Sequence, residues 1–224
     1  MELVTKAVIT EIDDRAGGVR VIALQPETPL RYRAGQFVRL SGGGFDARAY
    51  SIANRPQNSG KIVLHIRDFG SGLSNYLAAL PRGAEVEIHG PFGTMDIEHA
   101  RGRPVLMVAG GTGISPLLAM MQEIMRHGIT DEGITLLYGA RTPADIYCRP
   151  ELEALLSTGE VTLHEAFGDE TPDKLLSRFE NSFKNHAVYL SGPSQMIEAM
   201  RNVLHTREAD PARIFHDDWT TPKP

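Results

Sequence analysis

Four short runs in this 224-residue chain carry residue types whose spacing could do chemistry. Arg48-Ala49-Tyr50-Ser51-Ile52-Ala53-Asn54 sets an arginine beside an aromatic ring and a hydroxyl. On a strand, Arg48 and Tyr50 share one face and Ala49 and Ser51 the other. Such a set can grip a phosphate, stack on a flat ring and hydrogen-bond a heteroatom. An ordinary edge strand with a snorkelling arginine is the plainer reading. Gly70-Ser71-Gly72-Leu73-Ser74 stands ahead of helical periodicity, where small residues can admit an anion or simply cap the helix. Val105-Leu106-Met107-Val108-Ala109-Gly110-Gly111-Thr112-Gly113-Ile114-Ser115-Pro116 reads as a buried strand, a glycine turn and a helix start. Free N–H groups and the positive end of a helix then meet a phosphate. Ser191-Gly192-Pro193-Ser194 repeats the strand-turn-helix pattern and belongs on the same rim, although tight-turn chemistry alone also accounts for it.

Two textures must position these runs. Residues 1 to about 97 are strand-like. Val19–Leu24 and Glu85–His89 alternate, while Gln36–Leu40 and Lys61–Arg67 are β-rich and bounded by turn residues. Roughly six strands at short spacing imply a small antiparallel barrel. One helix interrupts them, since Leu73, Tyr76, Leu77 and Leu80 fall at i, i+3, i+4 and i+7 before Pro81. From Pro104 onward strands alternate with helices: Val105–Ala109, Ile134–Tyr138, Val161–Glu165, Ala187–Leu190 and Arg213–His216 are the expected strands. Ser115 and Thr171 read as N-caps, each followed by proline. Met120, Met121, Ile124 and Met125 form an apolar helix face suited to core packing, closed by Gly128. The pattern implies a Rossmann-like parallel sheet that binds ligands beyond the carboxyl ends of its strands. The expected division is 1–99 and 100–224, with the junction near Ile97–Arg103.

Composition narrows the function. Net charge is −5 and the pI is near 5.9, so no basic excess points to nucleic acid or an anionic membrane. No apolar run approaches the roughly 18 residues of a spanning helix. The N-terminus shows no signal-peptide pattern, and a cytoplasmic location is expected. Cys148 is the only cysteine. It excludes an intrachain disulfide, a CxxC pair and a four-thiolate iron–sulfur cluster within these residues, and reads as structural. The histidines lack HxH or HxxxH spacing, so no metal site is expected.

Taken in order, the motifs resemble the ferredoxin–NADP reductase superfamily, in particular its flavin reductase and oxygenase-reductase branch without a fused iron–sulfur domain. Arg48, Tyr50 and Ser51 match Arg-x-Tyr-Ser, and Gly72–Ser74 match a Gly-x-x-Ser helix start. Gly90-Pro91-Phe92-Gly93, Gly110–Pro116, Tyr138–Arg141 and Gly192-Pro193 match the remaining motifs, so the likeness spans nearly the whole chain. It implies a flavin-binding barrel followed by an NAD(P)H-binding α/β half.

By that resemblance Arg48 binds flavin phosphate, with Ala49 beside it, Tyr50 stacks on the isoalloxazine and Ser51 sits near N5. His65, Ile66 and Arg67 lie along the ribityl and phosphate region. Gly72, Leu73 and Ser74 present N–H groups to the pyrophosphate. Gly111, Thr112 and Gly113 meet the nicotinamide nucleotide, Arg141 its adenosine half, and Gly192-Pro193 the final turn. Ser191 stands where the family often has cysteine. Trp219 is expected to cover the flavin or to pack the last strand, and Asp217 is a weak candidate proton partner.

The implied chemistry is hydride transfer from NADH or NADPH to FAD (or FMN), with Ser51 and Ser191 as the catalytic candidates. Electrons then pass to a separate redox protein such as a ferredoxin or oxygenase component. Release of free reduced flavin is the alternative within that chemistry, and a non-catalytic nucleotide-binding subunit is the alternative outside it. A monomer or weak dimer is expected. The tyrosine of Arg48–Ser51 and Asn54 favour retained FAD. NADH against NADPH stays open: Arg141 can meet a 2′-phosphate by bidentate contact, whereas Asp145, four residues on, opposes that phosphate and tips the reading toward NADH.

Overall fold

The structure is a computed structural model that describes residues 3–57, 59–179 and 182–216. Six antiparallel strands form the first half: β1 (Leu3–Arg15), β2 (Val19–Pro26), β3 (Phe37–Gly42), β4 (Phe45–Ser51), β5 (Ile62–Arg67) and β6 (Glu85–Phe92), in the order β4-β3-β6-β1-β2-β5. Alternation drives them. Along β1 the side chains of Thr5, Ala7 and Ile9 turn inward while their neighbours stay wetter. The two edge strands close the ring just beyond β4, where Ile52 bridges to Leu64 and the Ala53 N–H donates to the Val63 carbonyl at 2.8 Å. Among the described residues the edges meet only there, and Phe45–Arg48 of β4 stay exposed. Helix α1 (Gly72–Ala79) plugs one end, burying Leu73 and Leu77 against Ile22, Leu24, Leu64 and Ile66. Full burial of each such leucine contributes about 1.5–3 kcal/mol.

The second half is a parallel five-stranded sheet of β7 (Val105–Gly110), β8 (Ile134–Ala140), β9 (Val161–Phe167), β10 (Ala187–Ser191) and β11 (Ile214–His216), in the order β11-β10-β7-β8-β9. Its helices are α2 (Ile114–His127), α3 (Arg149–Leu156), α4 (Pro172–Ser177) and α5 (Ser194–Thr206). The side chains of β7 alternate between two cores. Val105, Met107 and Ala109 join α2 and α3, whereas Leu106 and Val108 join α4 and α5. The sheet is therefore buried on both faces, as its apolar strands require. The chain leaves β7 toward β8 on one side and returns as β10 on the other. That reversal opens a crevice above the carboxyl ends of β7 and β10. Met120, Met121 and Ile124 are core, and Gly128 ends α2 in the left-handed conformation at φ 54°.

Two expectations need correction. Ser115 is not an N-cap. Gly113 is already helical (φ −61°, ψ −13°) and caps α2, so Ser115 and Pro116 lie inside the first turn. The last strand starts at Ile214, because Pro211–Arg213 form a 3-10 turn capped by the Asp210 side chain. Among the described residues, no helix is long and apolar enough to cross a membrane.

The halves share one apolar cluster. Val19, Ala34, Met95 and Ala100 pack with Leu117, Met120, Met121 and Tyr147. Polar bonds flank it: Arg15 pairs with Glu151 at 3.0 Å, and the Tyr189 hydroxyl donates to the Asp96 carbonyl at 2.7 Å.

Candidate functional site

A cleft of about 1160 Å³ lies between the barrel and the carboxyl ends of the parallel strands. It is larger than the ~300–1,000 Å³ usual for a small-ligand pocket. The barrel wall comes from β4 and β5, through Arg48, Ala49, Tyr50, Ser51, His65 and Arg67. The opposite wall comes from Gly110–Gly113, Arg141 and Ser191–Pro193. Fold closure thus brings together runs separated by up to 140 residues.

The glycine turn after β7 is built without slack. Parallel pairing sets Ala109 level with Ser191, so the two strand ends carry their turns side by side. A Cβ on Gly113 would collide with the Ser191 carbonyl, 2.5 Å from its carbon and 2.7 Å from the Gly192 nitrogen. The Tyr138 hydroxyl donates to the Gly111 carbonyl at 2.9 Å, and the Ser115 hydroxyl donates to the Thr112 carbonyl at 2.8 Å. Both bonds turn carbonyls inward and leave N–H groups for a ligand. Cys148 is buried beneath, its thiol directed at the Tyr138 oxygen at 3.9 Å, and burial pushes its pKa up to about 12. It is an unreactive core thiol.

Arg67 supplies the test of whether the cleft fits a phosphorylated cofactor. Its Nε and Nη2 are buried and have no hydrogen-bond partner among the described residues. A Cβ on Gly111 would stand 4.0 Å from that Nη2. An unpaired buried guanidinium is costly until an anion meets it. The residues therefore fit a phosphate-bearing group. The charges divide between the walls. The barrel wall carries Arg39, Arg48 and Arg67 against Asp46, while the far wall carries Arg141 against Asp145, Glu170 and Asp173. Asp145 is held below the usual carboxylate range by hydrogen bonds from the Thr142 hydroxyl and N–H, at 2.9 and 3.1 Å.

Two expected site residues present no side chain here. Ile66 and Leu73 are sealed in the barrel core, so only their backbone can serve a ligand. Ser74 reaches the cleft, whereas Gly72 opens α1 at φ 68° beside it. Tyr50 is half-buried, and burial pushes its phenol up to about 12. Trp219 and Asp217 lie outside the described residues. Sequence reasoning passed over Phe69, which is 75% exposed at the cleft mouth, and Phe37 and Arg39 on the rim. Alternation from Arg67 into Gly70-Ser71-Gly72 was the available signal for Phe69.

His65 joins the walls. Its Nδ1 is 2.8 Å from the Tyr147 hydroxyl, and the rings meet edge-on. Burial, and then the Arg15 charge, lower its pKa to about 4. The unfolded chain binds the proton near 6.5, so folding is favoured above that value and loses ground as the pH falls toward 4. The loss is on the order of 3 kcal/mol. Urea unfolding at pH 7.5 and 4.5 should show a steeper decline in the wild type than in His65→Gln. Equal declines would remove His65 as the cause. Arg15, Arg67 and Tyr147 are the ionisable neighbours that the comparison holds constant.

Residues 9–97 match the oxidoreductase FAD-binding domain family, and residues 107–202 match the oxidoreductase NAD-binding domain family. The chain therefore carries an oxidoreductase FAD-binding domain followed by an oxidoreductase NAD-binding domain. The phenol hydroxylase P5 protein of Acinetobacter pittii is 29% identical over 96% of this oxidoreductase and 64% of its own length. The ferredoxin–NAD(+) reductase component of the Xanthobacter autotrophicus alkene monooxygenase system is 30% identical over 84% of this chain and 62% of its own. This oxidoreductase thus spans a little under two thirds of these relatives. The Amycolatopsis cytochrome P450 reductase GcoB superposes with a TM-score of 0.87 at 26% identity, covering 97% of this chain and 70% of that one. A ferredoxin NADP+ reductase from Neisseria gonorrhoeae with bound FAD and NADP shares the fold, with a TM-score of 0.81 at 18% identity. It covers 96% of this oxidoreductase and 98% of its own chain.

Proposed function

We propose that this chain draws a hydride from a nicotinamide dinucleotide into a bound FAD and hands the electrons to a separate redox protein. The carrying observation is that the arginine-rich barrel wall and the glycine turn of the parallel sheet line one cleft. The flavin, when bound, supplies the reactive N5 and converts a two-electron donor into a source of single electrons. The protein aligns the partners and supplies charge. Arg48 and Arg67 neutralise the flavin phosphates, helped by N–H groups of Gly72–Ser74. Tyr50 gives a flat face and Ser51 a hydroxyl for the N5 region. Gly111–Gly113 and Gly192-Pro193 seat the nicotinamide nucleotide, and Ser191 keeps a small polar group beside it. Arg141 contacts the adenosine half. The acceptor is an oxygenase or ferredoxin component, because the relatives are named as reductase components of such systems.

The carboxylates of the far wall make NADH the better donor. A 2′-phosphate would face Asp145, Asp173 and Glu170, the last already paired with Arg178 at 2.7 Å, with Arg141 the cleft-lining cation of that wall. Purified protein should stay yellow through gel filtration and bleach anaerobically on mixing with NADH. The value of kcat/KM should favour NADH over NADPH by at least about tenfold, or 1.4 kcal/mol. Colourless protein that turns over added flavin would instead mark a diffusible-flavin reductase. Absence of bleaching with either coenzyme would leave a binding subunit.

A further inference from the structure

Two glycine turns of the cleft rest on one thioether. Met196 stands in the first turn of α5, partly buried against the cluster of Leu106, Val108 and Leu190. It also lines the cleft. A Cβ on Gly110 would stand 2.8 Å from the Met196 Sδ, and a Cβ on Gly192 would stand 2.7 Å from its Cε. The sulfur and its methyl thus fill the space that a side chain at either turn would need. A Cβ on Gly192 would also come within 2.9 Å of the Gly110 nitrogen, so the turns themselves are in close contact. The other described sulfurs are placed differently. Met95, Met107, Met120, Met121 and Met200 are at most 1% exposed. Met125 is partly buried against the core under α2 and lies outside the cleft lining. Cys148 is buried, and with its thiol pushed up to about 12 it offers little thiolate to an oxidant. Met196 is therefore the sulfur that a small oxidant entering the cleft meets first.

We propose that Met196 is a reversible oxidation site whose sulfoxide closes the cleft to the nicotinamide dinucleotide. The Sδ lone pair attacks one oxygen of hydrogen peroxide, an S–O bond forms and the O–O bond breaks. Methionine sulfoxide and water are the products; sulfur gives up two electrons and peroxide takes them. The new oxygen has two places to go. Toward Gly110 it enters space too tight for a methyl group and pries the turns apart. Toward the cleft it sets a polar group where the nucleotide would lie against Gly111–Gly113 and Gly192-Pro193. Either course puts a bulkier, polar side chain where a flexible apolar one had packed, and methionine sulfoxide reductases reverse the change. The proposal rests on the reading of the far wall as the NADH side. On that reading, reduced flavin left without an acceptor hands two electrons to dioxygen, which takes two protons and leaves as hydrogen peroxide in the same cleft. Oxidation of Met196 would then slow a reductase that has lost its partner.

Flavin-loaded protein is treated with dilute hydrogen peroxide, mapped by peptide mass and assayed with NADH. Met196 should gain one oxygen faster than Met125 and the buried methionines. The KM for NADH should rise about tenfold while the flavin stays bound. A methionine sulfoxide reductase should return the KM to its starting value. Met196→Leu keeps the volume and removes the sulfur. Its KM, whatever the starting value, should not move with peroxide, whereas Met125→Leu should respond as the wild type does. Equal oxidation of Met196 and Met125, or a Met196→Leu protein as sensitive to peroxide as the wild type, overturns the proposal. An untreated protein that NADH does not bleach overturns the proposed function and this regulation with it. A protein that NADH bleaches, and that keeps its KM with Met196 fully oxidised, overturns the regulation alone.

Discussion

Gly113→Ala should cost on the order of 4 kcal/mol of stability and remove coenzyme-dependent turnover. The obstacle is backbone, since the added methyl would press into the Ser191 carbonyl and approach the Gly192 nitrogen to 2.7 Å. No rotamer relieves such a clash, because neither neighbour is a flexible side chain. Separating the turns means separating β7 from β10, which pair in parallel up to Ala109 and Ser191. Overpacking an adaptable core costs about 1–3 kcal/mol; a rigid clash belongs to the rarer class above that. For a chain of this size the melting temperature should fall by on the order of 10 °C. Gly111→Ala is the control. Its φ of 56° strains an alanine, yet the nearest atom to the new methyl is Arg67 Nη2 at 4.0 Å. The control should lose much less stability. Calorimetry on both variants, with KM for NADH, checks the order. A Gly113→Ala protein with wild-type melting would show that the two turns are not held together as the structure has them.

Arg48→Ala should strip the flavin, raising its Kd about 100-fold, without unfolding the barrel. Arg48 lies exposed on β4, and no ion pair engages it among the described residues. Its removal from the unliganded protein should therefore stay within about 0.5 kcal/mol. With a phosphate present the same side chain can make two charge-assisted bonds, each contributing ~1.5–3 kcal/mol. Arg48→Lys should recover only part of the affinity, because a point charge lacks the planar fork. The ratio of flavin to protein absorbance after gel filtration reads the outcome. An alanine variant as yellow as the wild type would remove Arg48 from the phosphate site.

Much of this was legible in the sequence, and the exceptions share a cause. Strand alternation before residue 97 and strand-helix alternation after Pro104 were local signals, and the structure follows them. The run Arg48–Ser51, the Gly110–Gly113 turn and Ser191–Pro193 do meet in one cleft. Motif position alone could not say which way a side chain turns. Ile66 belongs to the motif region, yet strand parity sends it into the core between His65 and Arg67, which face the cleft. Ser115 looked like a cap because the serine-proline pair is a common start signal. The glycine ahead of it was free to become helical first, and the hydroxyl was diverted to Thr112. Tyr147 left no trace, since it acts across a contact 82 residues apart in the chain. A lone aromatic in a connecting segment has no period to reveal it.

The apolar cluster shared by the two halves bears on how such reductases can be recombined. Met95 and Ala100 sit on the connection between the sheets, and Val19 reaches the same cluster from the barrel hairpin. A chimera spliced near residue 100 would pair one parent's Met95 and Val19 with another parent's Met120 and Met121. The splice would be correct in chain order and mismatched in volume. On the proposed reading of the cleft, exchange of coenzyme preference between relatives is better served by transplanting the surface of β8, β9 and their loops, with Arg141 and Asp145, onto an intact native seam.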